Sequence, residues 1–155
     1  MNSAAVPVLI SMLTQGGLGL AVFLANRRRL PNQCFLLLSL TISGWLATLY
    51  LGQETHKIEV TIACMRAASV AGVLILMMLN LLRLSIQRKQ PNWRGLLRAS
   101  RLWLIATAFV VILCQTKAFL VGAQMSAVAG VAPTPIYGKA VYIYAAFFAA
   151  AVMSI

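Results

Sequence analysis

Arg66, Gln115, Lys117 and Lys139 are the residues of this chain least suited to their surroundings. Each interrupts an apolar run. Arg66 lies in TIACMRAASVAGVLILMMLNLL (61–82), Gln115 and Lys117 in LWLIATAFVVILCQTKAFLVGA (102–123), and Lys139 in YGKAVYIYAAFFAAAVMSI (137–155). A guanidinium keeps its proton under biological conditions, and a charge at mid-bilayer costs roughly 2.5 to 3.5 kcal/mol on insertion scales. Cations placed this way suit an anion: an acidic ligand, a lipid phosphate, or carboxylates on another helix. The bland alternative is that the long stems of Arg66 and Lys117 snorkel to the headgroups. Gln115, like Gln15 and Asn80, is suited to hydrogen bonding between helices, and stands close enough to Lys117 to help line a pocket.

The chain has little with which to neutralise these charges. It carries 13 Lys and Arg against 2 acids, Glu54 and Glu59, for a net charge of +11. There are no paired intramembrane carboxylates, no H-E-x-x-H, no G-x-S-x-G and no phosphate-cradling glycine loop. No catalytic residue is assigned, and an enzyme is not expected. Cys34, Cys64 and Cys114 show no C-x-x-C spacing, so neither a metal site nor a disulfide framework is expected; they read as small packing residues. No cofactor is implied. No stretch interleaves aromatics with basic residues as a single-strand binder would, so nucleic acid is not an expected partner. His56 reads as a solvated loop histidine, with pH sensing as the alternative.

The elements that position these residues follow from hydropathy. The chain has 155 residues, is 61% hydrophobic and 10% charged, and has a mean hydropathy of +0.88. Soluble domains are roughly 25% charged, so the composition is that of an integral membrane protein. About 20 apolar residues cross the hydrocarbon core as a helix, and the segments 5–26, 33–52, 60–84, 102–123 and 137–155 qualify. The expected fold is all-α: a polytopic transmembrane bundle of five spanning helices forming one domain over 1–155. The first segment lacks the basic lead and cleavage site of a secretory signal and is expected to stay. The last stops at Ile155 without a basic flank, which reads as a piece of something longer.

Charge orients the bundle. The connections RRRLPNQ (27–33) and SIQRKQPNWRGLLRASR (85–101) are basic, QETHKIE (53–59) is mixed, and QMSAVAGVAPTPI (124–136) is uncharged. Lys and Arg collect in cytoplasmic loops, so the N-terminus is expected outside. Arg27, Arg28, Arg29, Arg88, Lys89, Arg94, Arg98 and Arg101 would then face the anionic inner leaflet, each worth roughly 1 kcal/mol near its surface. On the opposite side Lys57, Arg66, Lys117 and Lys139 outnumber Glu54 and Glu59 by two. Arg66 would lie about 9 Å deep there, at 1.5 Å per residue. Small residues at four-residue spacing (Ala63, Ala67 and Ala71; Ser39 and Ser43; Gly44 and Thr48) allow close helix approach. The thin, alanine-rich fifth segment should pack on a helix of this chain or another membrane protein.

One pattern is more specific. NRRRLPNQCFLLLSLTISGW joins a basic turn to a Phe-x-Leu-Leu-Ser-Leu run ending in a tryptophan, and an arginine follows early in the third segment. Through Asn32, Phe35, Leu37, Leu38, Ser39, Leu40, Trp45 and Arg66 the chain resembles the N-terminal seven-transmembrane sensor region of bacterial histidine kinases. The entry YGKAVYIY is similar to that family's fifth helix. Met65 stands where the family usually carries an aromatic. The family's sixth and seventh helices, phosphoacceptor helix and ATP-binding domain have no counterpart in these residues. The resemblance implies a bacterial inner-membrane, multi-pass sensor module without its output.

Two functions are therefore expected. One is reception of a signal at an outer-side pocket around Arg66, Lys117, Lys139 and Gln115. The other is an accessory subunit that docks into a larger membrane complex. A sensor should hold a concave, partly polar outer cavity with Arg66 turned inward. A docking subunit should offer its small-residue faces to foreign helices.

Overall fold

The computed structural model describes residues 5–55, 57–87, 92–124 and 133–154. His56, Arg88, Lys89 and Ile155 lie outside the described residues. Six helices and a two-stranded hairpin follow one another: α1 (Ala5–Ala25), α2 (Leu30–Glu54), α3 (Ile58–Gln87), α4 (Trp93–Ala99), α5 (Arg101–Cys114), β1 (Leu120–Gln124), β2 (Thr134–Tyr137) and α6 (Val141–Ser154). Helices α1, α2 and α3 are long and apolar enough to cross a membrane. The 30 residues of α3 amount to about 45 Å at 1.5 Å per residue, so it must tilt or protrude from a hydrocarbon layer about 30 Å thick.

The last two expected spans are shorter than hydropathy suggests. The fourth, expected over 102–123, is helical only to Cys114, and α4 joins α5 at a bend of 71°. The fifth, expected from 137, begins at Val141. Each of these helices has 14 residues, or about 21 Å. The physical reason lies in the intervening chain. Beyond Cys114 the bonds tighten, with the Gln115 and Thr116 amides donating to Ile112 and Leu113 carbonyls at 3.1 and 3.0 Å. Pro133 and Pro135 cannot donate to a helical ladder, and the chain instead forms an antiparallel pair, with Gly122 opposite Ile136 and Gln124 opposite Thr134. Gly138 then passes so close to Ala118 that a Cβ there would sit 2.2 Å from its carbonyl oxygen. Only glycine fits that crossing.

Polar side chains hold the α1–α2 turn. Helix α1 leaves C-terminal carbonyls without helical partners, and the Asn32 amide donates to the Val22 and Asn26 carbonyls at 2.9 and 3.2 Å. The Gln33 amide donates to the Arg27 carbonyl at 2.8 Å, and its oxygen accepts from the Trp93 indole at 2.7 Å. Helix α4 is thereby brought to the same end as the Arg27–Arg29 turn. It starts on Asn92, whose side chain accepts from the Gly95 amide, and it buries Leu96 with Leu30, Cys34, Met77 and Leu81. Arg94 and Arg98 stay exposed, as do Arg27, Arg28, Arg29 and Arg101. The described arginines of both basic connections thus lie at one end of the bundle, and the hairpin lies at the other.

Helices α1 and α2 are antiparallel and touch through their smallest residues. Ser43 donates to the Met12 carbonyl at 3.1 Å and Gln15 to Ser39 at 3.4 Å. Ser39 is fully buried. A Cβ on Gly19 would meet the Ser39 Cβ at 2.4 Å, whereas one on Gly17 meets nothing within 4 Å. Overpacking of this kind costs about 1–3 kcal/mol, and alanine improves helix propensity at both positions. Gly19→Ala should therefore lower the melting temperature in detergent relative to Gly17→Ala. Equal melting temperatures would show that α1 does not pack on α2 at this face.

Candidate functional site

A cavity of about 500 Å³ lies between α2, α3, the hairpin and α6, within the range of small-molecule sites. Its floor is one face of α3, where Thr61, Cys64, Met65, Ala68, Ser69, Gly72, Ile75 and Leu76 recur at three- and four-residue spacing. From Thr61 to Leu76 this face runs about 22 Å. Trp45, Thr48, Leu49 and Gly52 of α2 form one wall, Tyr144 and Phe148 of α6 form the other, and Pro133 and Tyr137 close the hairpin end. The α2 wall meets the floor closely at that end, where a Cβ on Gly52 would lie 3.3 Å from the Cys64 Cβ.

The lining is mainly apolar and carries no charged side chain. Its hydroxyls are already committed as donors. Thr48 donates to the Trp45 carbonyl at 2.7 Å, Ser69 to Met65 at 2.9 Å, and Tyr144 to Ser69 at 3.3 Å. Each oxygen keeps lone pairs to accept with. An ion would enter without a counter-charge and at a steep desolvation cost. A neutral apolar molecule with one or two O–H or N–H groups matches both the shape and the remaining acceptors.

Around the cavity's hairpin end the packing is aromatic. Phe119, 1% exposed, stands edge-on to Tyr137 with ring centroids 5.6 Å apart, and lies 5.3 Å from Tyr144. Phe119 packs with Val73, Val110, Cys114 and Leu120 in the core beneath the hairpin. Tyr144 thus joins three features: the aromatic cluster, the α3 backbone at Ser69, and the cavity wall.

The expected cation cluster is arranged differently from the expectation. Arg66 does turn into the protein, where its Nη2 donates to the Leu120 carbonyl at 3.2 Å. Its Nε is buried and has no hydrogen-bond partner among the described residues. Arg66 does not line the cavity; it straps the hairpin to α3. Lys117 and Lys139 are exposed on neighbouring backbone segments, since the Ala140 amide donates to the Ala118 carbonyl at 3.1 Å and the Gly138 amide to Phe119 at 2.9 Å. Gln115 is the exposed C-cap of α5 rather than an interhelical bridge. The structure brings Arg66, Lys117, Lys139 and Gln115 to the hairpin end but into no common pocket.

The cavity residues were partly visible in the sequence. Cys64, Ala68 and Gly72 form a small-residue stripe one position on from Ala63, Ala67 and Ala71, but a stripe does not say whether a helix or a space lies over it. Tyr144 reads as an interfacial anchor from sequence alone. Among the described residues, no three His, Cys, Asp or Glu side chains gather as a metal site would require. Compared with protein-family models, curated proteins and solved structures, the chain matches none.

The role of Arg66 as a strap has a direct test. Arg66→Leu removes the donor to Leu120 and should raise deuterium uptake across 120–124 and 134–137, leaving the α1–α2 turn unchanged. Hairpin uptake equal to wild type would show that Arg66 holds nothing there.

Proposed function

We propose that this chain is the signal-receiving membrane portion of a bacterial sensor, non-catalytic in itself, that binds a neutral apolar molecule between α2, α3 and α6. In this reading five segments pass through the inner membrane with the N-terminus outside. The arginine-bearing end faces the cytoplasm and its anionic lipids, and the hairpin end faces out. The observation that carries the reading is the 500 Å³ uncharged cavity reaching from the hairpin end toward mid-bundle. The reading also takes up the resemblance of Asn32, Phe35, Leu37, Leu38, Ser39, Leu40, Trp45 and Arg66 to histidine kinase sensor regions.

The same helices that wall the cavity meet again at the arginine end, where the Arg83 guanidinium donates to the Ser154 carbonyl. A ligand that wedges Tyr144 and Phe148 away from α3 would move α6 as a lever against that contact. A docking subunit is the second reading, favoured by the outer side of α6, where Tyr142 is 76% and Met153 89% exposed.

Two experiments test these statements. With the native cysteines replaced, a cysteine at Lys117 or Lys139 should react with a membrane-impermeant maleimide in intact cells, and one at Arg94 only after permeabilisation. The reverse pattern would invert the topology. Ala68→Phe fills the cavity, and should abolish saturable binding of a fluorescent long-chain alcohol to the nanodisc-embedded protein. Binding that persists in Ala68→Phe, or is never saturable, would remove the cavity from consideration and leave the docking reading.

A further inference from the structure

Below the large cavity, α3, α5 and α6 enclose a second, much smaller chamber of about 10 Å³, lined by Leu76, Met77, Asn80, Thr107, Ala151 and Ser154, with Trp103 and Phe147 beside them. Asn80 is 4% and Thr107 5% exposed. Both carry a buried atom without a hydrogen-bond partner among the described residues: Nδ2 of Asn80 and Oγ1 of Thr107. The Asn80 amide orientation is set by its other atom, since Oδ1 accepts from the Arg83 Nη2 at 3.3 Å. Nδ2 is therefore a donor directed away from Arg83.

Two such orphans on residues that line one chamber are costly as they stand. A buried polar group without a partner loses its hydration and regains nothing. In a bundle surrounded by lipid the cost cannot be relieved by exposing the group. A chamber of about 10 Å³ is at the lower bound for holding one ordered water, and such a water needs two to four polar partners.

We propose that this chamber is a binding site for a single structural water that bridges Asn80 on α3 to Thr107 on α5. The water accepts from Asn80 Nδ2 and shares a hydrogen bond with Thr107 Oγ1. Ser154 supplies a third partner within the same lining, because its hydroxyl donates to the Ala151 carbonyl at 2.8 Å and its oxygen can still accept. The water then ties α6 to the other two helices. A cation is a poor occupant beside the Arg83 guanidinium. The site also has a place in the fold. Leu76 lines both this chamber and the large cavity, so it forms the partition between them.

X-ray radiolytic labelling tests the site, because ordered water generates hydroxyl radicals where it sits. In nanodiscs, buried Met77 should be oxidised despite being 3% exposed, and Thr107→Val should reduce that labelling several-fold while leaving Met65 in the upper cavity unchanged. The same variant should melt about 3 °C lower, since it removes a satisfied hydroxyl. Unlabelled Met77 in the wild type, or equal labelling in Thr107→Val, would overturn the proposal. So would a Thr107→Val protein more stable than wild type, the result expected when an unsatisfied hydroxyl is removed from a dry site. These outcomes are independent of whether the upper cavity binds any ligand.

Discussion

A backbone carbonyl in a low-dielectric setting must be given a donor, and at Leu120 that donor is Arg66. Helices satisfy this demand internally, whereas a strand between helices does not. The hairpin is a non-helical part of the described bundle, and its ladder, the Gly138–Phe119 bond and the Arg66 guanidinium supply partners to its backbone. Once the hairpin is strapped to α3, Pro133 and Tyr137 close the end of the large cavity, and Phe119 is fixed beneath them. The cavity thus depends on a charge that never touches it.

That arrangement also explains why a permanent cation is acceptable in an apolar helix. Snorkelling would place the guanidinium at the headgroups with water as its partner. Instead, Nη2 binds a carbonyl oxygen with its partial negative charge, and Nε is buried. Lys117 and Lys139 are exposed on the rim. Three positive charges that look alike in sequence therefore divide into one structural strap and two surface groups.

The bundle has different characters at its two ends. At the arginine end, side chains rather than helix propensity set the geometry: Asn32 and Gln33 hold the turn, Trp93 docks α4 on Gln33, and Leu96 buries itself between α2 and α3. Arg94, Leu97 and Arg98 are exposed on α4, which bends by 71° from α5. At the hairpin end the contacts are aromatic and the elements short. Movement of α6 would couple the two, through Tyr144 at one end and the Arg83–Ser154 contact at the other.

Hydropathy alone determined the class of the protein and located α1, α2 and α3 to within about three residues at their ends, because long apolar runs form helices in lipid. Connectivity placed the described arginines of both basic connections at one end, since the two antiparallel helices α2 and α3 lie between them. The small-residue spacing of Ser39 and Ser43 likewise announced a close helix contact. What hydropathy could not determine was where α5 stops and α6 starts. Apolar residues such as Phe119, Leu120 and Val121 score the same in a helix as in a strand, and the choice was made by Pro133, Pro135 and the Ala118–Gly138 crossing, a contact between residues far apart in the chain. The cavity and the direction of Arg66 were tertiary outcomes for the same reason. Whether a stripe of small residues meets a neighbour or bounds a space depends on how far away the next helix is held, and that distance is set by contacts that no single segment contains.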